Sequence, residues 1–146
     1  MKALIQRVQE ASVEVEASII GKIGPGLLVF LGAGEGDSLQ DLDYIFNKMI
    51  HLRIFSDDQG KMNLSLMDAK GSILVVSQFT LYANTKKGRR PSFNEAMKPD
   101  AAKKMYESFL EKCVAAGIET QSGSFGADMK VALVNDGPVT IMLESQ

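Results

Sequence analysis

The 146-residue chain has one cysteine, Cys113, and one histidine, His51. That scarcity excludes a disulfide framework, a Cys/His zinc site built within one chain and a pair of catalytic histidines. Long apolar runs are also missing. The longest is the five residues Leu27 to Leu31, against the roughly 20 needed to span a bilayer. The start, Met1-Lys2-Ala3-Leu4-Ile5-Gln6-Arg7, meets polar residues at once and lacks the apolar stretch of a signal peptide. A cytoplasmic location is therefore expected, and a lone cysteine agrees with a reducing compartment.

What is present describes a folded protein. Hydrophobic residues make up 45% and charged residues 23%, too apolar for a disordered chain and enough for a real core. The length suits one domain spanning residues 1–146. The net charge of −2 hides an uneven distribution: residues 1–58 carry −4, residues 85–104 carry +5 and residues 105–146 carry −4. The centre of the basic segment is Lys86-Lys87-Gly88-Arg89-Arg90-Pro91. Such a cluster suits a polyanion, because each neutralised phosphate releases a counterion, although a solvated loop without a partner has the same composition.

Periodicity supplies the elements. Val13 and Val15 alternate with Glu14 and Glu16, as in a half-buried strand. Gly24-Pro25-Gly26 marks a turn, and Leu27 to Leu31, apolar on both faces, predicts a central strand. Leu39, Leu42, Ile45, Phe46, Met49 and Ile50 recur at helical spacing, and Ser38 with Asp41 approximates a capping box at the start. Ile73 to Val76 form a second buried strand. Pro99 opens a second long helix with Ala102, Met105, Phe109, Cys113 and Ala116 on its buried face, and Gly117 sits where a C-terminal cap belongs. Met129, Val131 and Leu133, then Val139, Ile141 and Leu143, return to period two around Asn135-Asp136-Gly137-Pro138, which predicts a hairpin. The fold expected is α+β, a mixed or antiparallel sheet with two main helices.

Several segments are candidates for chemistry. Gly32-Ala33-Gly34-Glu35-Gly36-Asp37, between a strand and a helix, imitates a dinucleotide-binding turn. Its GxGxG spacing and two acidic residues nevertheless favour a flexible acidic loop. His51 ends the first helix, where a cation suits the dipole, and Cys113 falls on an apolar face, so both read as structural. Ser77-Gln78-Phe79-Thr80 places a hydroxyl, an amide, a ring and another hydroxyl at the end of a buried strand. Those groups must bond either to the fold or to a ligand. In Asn135-Asp136-Gly137-Pro138-Val139-Thr140 the Gly-Pro step admits a cis peptide. It is either a simple turn or a rigid mount for a backbone carbonyl.

Taken together, Ser77-Gln78-Phe79-Thr80-Leu81-Tyr82-Ala83, Lys87-Gly88-Arg89-Arg90-Pro91-Ser92-Phe93 and Asn135-Asp136-Gly137-Pro138-Val139-Thr140 resemble the D-aminoacyl-tRNA deacylase family. The opening Met1 to Val8 matches too, so the resemblance runs the length of the chain. Asn84 departs from it, standing where most members have an acidic residue. The resemblance implies a compact β-barrel-like fold, a homodimer, and hydrolysis of the ester joining a D-amino acid to the terminal adenosine of a tRNA, with glycyl-tRNA mischarged on tRNA-Ala as a further substrate. It implies that Ser77, Gln78, Phe79 and Thr80 line the catalytic pocket. Gly137 and Pro138 correspond to a Gly-cisPro element that reaches the partner subunit's pocket and rejects L-amino acids, and Arg7 to the arginine that orients it. Lys86, Lys87, Arg89 and Arg90 are the expected tRNA contacts, and no cofactor or metal is expected.

The chemistry is consistent with so few titratable groups. An aminoacyl ester is already activated, so orientation and donors for the developing oxyanion matter more than a strong nucleophile. Thr80 has no base nearby in sequence, which favours an attacking water over a covalent step. The rival classes are a non-catalytic RNA-binding module and a nucleotide-dependent enzyme using the glycine loop.

Overall fold

The structure, a computed structural model, describes residues 1–145. Its organising strand is β1 (Lys2–Val15), which ends where Glu16 and Ala17 take positive φ angles of 49° and 61°. Two consecutive residues in that region make the tight turn whose twist matches paired strands. The chain returns antiparallel along one edge of β1 as β2 (Ser18–Ile23) and β3 (Gly26–Gly32), interrupted at Gly24-Pro25. Next come α1 (Leu39–His51), the two-stranded pair β4 (Phe55–Ser56) and β5 (Met62–Leu64), and the single turn α2 (Leu66–Ala69). β6 (Ser72–Ser77) pairs parallel to β3 and runs into a 3-10 turn over Phe79–Tyr82. After the basic loop come α3 (Pro99–Ala115), β7 (Thr120–Ser122) parallel to β6, and β8 (Lys130–Glu144) antiparallel to the other edge of β1.

The sheet is mixed, in the order β2-β1-β3-β6-β7 with β8 also on β1. It curls until β2 lies against β6 and β7. A Cβ on Gly21 would sit 3.0 Å from the Ser122 carbonyl oxygen and 3.2 Å from Leu74 Cδ1. The result is the expected α+β, barrel-like sheet with two main helices. Strand alternation builds two cores. Ile5, Leu27, Val29, Ile73 and Val75 face α1 and α3, where Phe46 meets Phe109 edge-on at 6.1 Å. Val8, Val13, Leu28, Leu74 and Val76 fill the inside of the curl. β3 and β6 are buried on both faces, as their unbroken apolar runs require.

Three expectations need correction. The tail is not a hairpin: residues on both sides of Asn135–Pro138 pair with the same strand, β1, as one long β8. β1 is 14 residues long and offers partners to both halves, so the alternating pattern continues past the turn signal. Leu39 is exposed at the first turn of α1, while Leu42, Ile45, Phe46, Met49 and Ile50 are buried. In the same way Ala102 and Ala116, near the two ends of α3, are half-buried, and the helix buries Met105, Tyr106, Phe109 and Cys113 at its centre. At the α1 capping box, the Ser38 hydroxyl donates to Asp41 Oδ2 at 2.7 Å, and the Ser38 N–H donates to the same oxygen at 2.8 Å. These bonds, the backbone one foremost, hold the Asp41 carboxyl down to about 2.

Gly26 sits where β3 meets β6, and an added Cβ would lie 1.9 Å from the Ser72 carbonyl oxygen, whereas at Gly24 it would meet nothing within 4 Å. Gly26→Ala is expected to cost roughly 3 kcal/mol or more, because backbone must move. Gly24→Ala should leave the urea midpoint almost in place, and equal midpoints for the two variants would refute this account.

Candidate active site

The apolar run of β6 ends at Ser77, and Gln78 makes one further bond, donating its N–H to the Leu31 carbonyl at 2.8 Å. The chain then leaves the sheet. In the 3-10 turn Leu81 bonds back to Gln78 and Ala83 to Thr80. The first N–H groups of such a turn have no partner within it, and the N–H groups of Phe79 and Thr80 meet no acceptor among the described residues. Phe79 is 57% exposed, an unusual position for a large ring, and packs edge-on against Phe93 at 5.0 Å.

Beside this turn lies a cavity of about 680 Å³. Ser77, Gln78 and Phe79 line it together with Phe93, Met97, Phe125 and Met129. A largely apolar cavity of this size with a few polar groups, here Ser77, Gln78, Asn94, Lys98 and Asp128, is the usual form of a small-molecule site. Thr80 is exposed beside it and does not line it. The Gln78 side-chain amide donates to the Thr80 hydroxyl at 2.5 Å. No histidine or carboxylate bonds to that hydroxyl, and the described residues contain no cluster of metal-ligating side chains.

The glycine loop supports this wall. A Cβ on Gly34 would be 2.5 Å from the Tyr82 ring, and one on Gly32 would be 2.8 Å from the Gln78 carbonyl oxygen. Its acidic residue Asp37 accepts from the Gly34 N–H at 2.6 Å and the Tyr82 hydroxyl at 3.1 Å, and pairs with the Met1 ammonium at 2.7 Å. Burial, then the nearby Asp37 charge, pushes the Tyr82 hydroxyl upward. The small residues make room for the turn that carries Phe79 and Thr80, so the dinucleotide-like spacing has a packing explanation. His51 is exposed on α1, its Nδ1 2.9 Å from the Asn47 carbonyl, and Cys113 is buried in the core, its thiol pushed up to about 12 by burial.

Arg7, Gly137 and Pro138 come together elsewhere. Arg7 is buried. Its Nε donates to the Asp136 carbonyl at 3.2 Å and lies 3.3 Å from Asp136 Oδ2, and its Nη1 donates to the Ile54 carbonyl at 2.6 Å. Gly137 and Pro138 are both exposed, and the peptide between them is cis. None of the three lines the cavity of the same chain. Arg7 pairs with Leu27 and Ser77 with Leu31, a separation of roughly 13 Å along β3, with β3 itself between them.

The basic loop is closed by backbone bonds between Asn84 and Ser92, at 2.8 and 3.0 Å. Lys86, Lys87, Arg89 and Arg90 are all exposed and form no ion pair among the described residues. Phe93, directly after the loop, ties it to Phe79 at the cavity. Asn84 Oδ1 accepts from the Lys86 N–H at 3.1 Å, and its Nδ2 lies 3.4 Å from Glu95 Oε1. An acidic residue here would keep the first bond and lose the second, which accounts for how asparagine is tolerated.

The D-Tyr-tRNA(Tyr) deacylase family model matches residues 4–144. The chain belongs to that family. It is 55% identical over 146 residues to the D-aminoacyl-tRNA deacylase of Thermosipho africanus, covering 100% of this chain and 98% of that one. It is also 55% identical over 144 residues to the enzyme of the same name from Shewanella denitrificans, covering 99% of each. Among solved structures, the c-Myc DNA Unwinding Element Binding Protein superposes with a TM-score of 0.94 at 43% identity, covering 100% of this chain and 99% of that one. A probable eukaryotic D-amino acid tRNA deacylase shares the fold with a TM-score of 0.83 at 19% identity, covering 99% and 98%.

Asn135 and Thr140, which join the strand ends on either side of Gly137-Pro138, are not singled out by sequence reasoning. Their motif is visible, but a hairpin reading assigns it to a turn between two strands rather than to an excursion from one.

Proposed function

We propose that this protein hydrolyses the ester between a D-amino acid and the terminal adenosine of a tRNA. The observation that carries the reading is the Ser77–Thr80 segment at the mouth of an apolar cavity, with the N–H groups of Phe79 and Thr80 unpaired among the described residues. Water attacks the ester carbonyl carbon with help from the neighbouring ribose hydroxyl. The carbonyl oxygen gains negative charge opposite those two donors. The bond to the ribose oxygen then breaks and that oxygen takes up a proton. Thr80 positions the reacting groups rather than attacking, since its hydroxyl is bonded to Gln78 and lacks a base.

The pocket is completed by a second copy of this chain. Gly137 and Pro138 stand away from their own cavity, and the sheet face that carries Val8 and Leu28 continues as a partly exposed apolar row in which Leu4 pairs with Phe30 on one side and Met142 on the other. The partner's backbone carbonyl at this element opposes the side chain of an L-amino acid, and main chain cannot rotate aside. Glycine has no side chain and passes, so glycyl-tRNA mischarged on tRNA-Ala is a second substrate. The exposed cations Lys86, Lys87, Arg89 and Arg90 hold tRNA phosphates without reading sequence. The reaction takes place in the cytoplasm, where the core-buried Cys113 stays reduced.

The deciding experiment incubates the purified protein with D-tyrosyl-tRNA and with L-tyrosyl-tRNA, without nucleotide or metal. Only the D ester should be lost. Since one solved relative is named for binding a DNA element, the second reading is nucleic-acid binding without hydrolysis, and binding with both esters intact would establish it. Mass spectrometry of the reacting enzyme should find no acyl group on Thr80; an acylated Thr80 would overturn the water route. Replacing Gly137 should narrow the D-to-L rate ratio more than it weakens tRNA binding, and light scattering should give the mass of two chains.

Neutralising Lys86, Lys87, Arg89 and Arg90 together should flatten the salt dependence of tRNA binding by up to about 3.5 units of log–log slope, at roughly 0.7–0.9 for each phosphate no longer neutralised. An unchanged slope would return the loop to a solvated surface feature.

A further inference from the structure

The register of β8 on β1 shifts twice, between Gln6 and Val8 and again between Val8 and Glu10, and the first shift is the wider. Gln6 pairs with Thr140 and Val8 with Asn135, so the segment from Asp136 to Val139 stands out from the sheet opposite the single residue Arg7. Such an excursion takes sheet partners away from backbone groups at its base, and those groups need other partners. One side chain supplies them. Asn135 Nδ2 donates to the Arg7 carbonyl at 2.9 Å and to the Val139 carbonyl at 3.0 Å. Its Oδ1 accepts from the Thr140 hydroxyl at 3.1 Å, and Thr140 Oγ1 accepts from Gln6 Nε2 at 3.2 Å.

We infer that Asn135, locked by Thr140 and Gln6, is a positioning residue for chiral discrimination: it closes the neck of the excursion and thereby sets the direction in which the Gly137 carbonyl points. Arg7 holds the same segment from the side of Asp136, so the two ends of the excursion are restrained by different groups. The inference rests on the reading that Gly137 and Pro138 reject L-amino acids.

Its chemistry is specific to an amide. A carboxylate of the same shape offers acceptors to two carbonyl oxygens that need a donor, so Asn135→Asp turns two attractions into repulsions. A hydroxyl at position 140 preserves the lock and an isosteric methyl removes it, so Thr140→Ser and Thr140→Val form a matched pair. Loosening the neck lets the Gly137 carbonyl swing, and an obstacle that moves no longer distinguishes the two faces of the α-carbon.

The test compares Asn135→Asp, Thr140→Val, Thr140→Ser and Gly137→Ala with the wild type. The readouts are the ratio of D- to L-tyrosyl-tRNA hydrolysis and amide hydrogen exchange at Gly137 and Val139, with urea unfolding to verify that each variant is folded. Asn135→Asp and Thr140→Val should each narrow the ratio by up to about tenfold, the equivalent of one lost hydrogen bond, and speed exchange at the two amides. Thr140→Ser should restore both to the wild-type pattern. If Gly137→Ala changes the ratio while folded Asn135→Asp and Thr140→Val retain the wild-type value, the positioning role is overturned and the reading beneath it stands. An unchanged ratio in Gly137→Ala overturns that reading and the inference with it.

Discussion

Strand β1 is the constraint on which the rest of the molecule depends. It lends one edge to β2 and β3 and the other to β8, so three long stretches of chain take their register from it. A slip by one residue would exchange the contents of the two cores, since Ile5 and Val8 face opposite sides. The same strand carries Arg7, the one charged side chain buried along it. A guanidinium is tolerated there because carbonyl oxygens of Ile54 and Asp136 take up its donors. The break in β8 opposite Arg7 is therefore part of how β1 is satisfied, and the Gly137-Pro138 tip is a by-product of that pairing.

The cavity depends on close backbone approach in the same way. Gly26 lets β3 and β6 meet, and Gly32 and Gly34 let the 3-10 turn fold against the end of β3. Only then do the N–H groups of Phe79 and Thr80 come to lie beside Ser77 and Gln78 without a partner among the described residues. The chemistry we propose relies on main-chain donors, a small cavity and an exposed cationic loop. His51, at the end of α1, and Cys113, sealed in the core, have no part in it; the charged side chains that line the cavity are Lys98 and Asp128. A substrate that arrives as an activated ester, with its own ribose hydroxyl, suits such a site.

Much of this is legible in the residues alone. Period two reveals the outer strands, unbroken apolar runs reveal β3 and β6, and helical spacing with Ser38, Pro99 and Gly117 bounds the two long helices. The Ser77–Thr80 segment stands out because polar groups follow a buried run. The tail misleads because a turn signal between two alternating segments has the same local pattern whether the segments pair with each other or with a third strand. The glycine loop is ambiguous for a related reason, since close approach to Tyr82 and close approach to a phosphate select the same residue. Asn135 is invisible as a clamp, because Arg7 lies 128 positions away and Gln6, which locks Thr140, lies 134 positions from it.

The residues alone mark the two long helices, the buried strands β3 and β6 and the alternating tail, though not β2, β4, β5, β7 or α2; they also show where charge gathers and exclude chemistry built on paired histidines or cysteines. Those properties follow from composition and local periodicity, which the chain carries in any conformation. Tertiary structure alone decided that β8 is one strand with an excursion, that the glycines seat a turn rather than a nucleotide, and that the Gly137-Pro138 tip lies away from its own cavity. Each of these depends on which distant backbone groups find each other, and hydrogen-bond pairing across the sheet settles that only when the whole chain is folded.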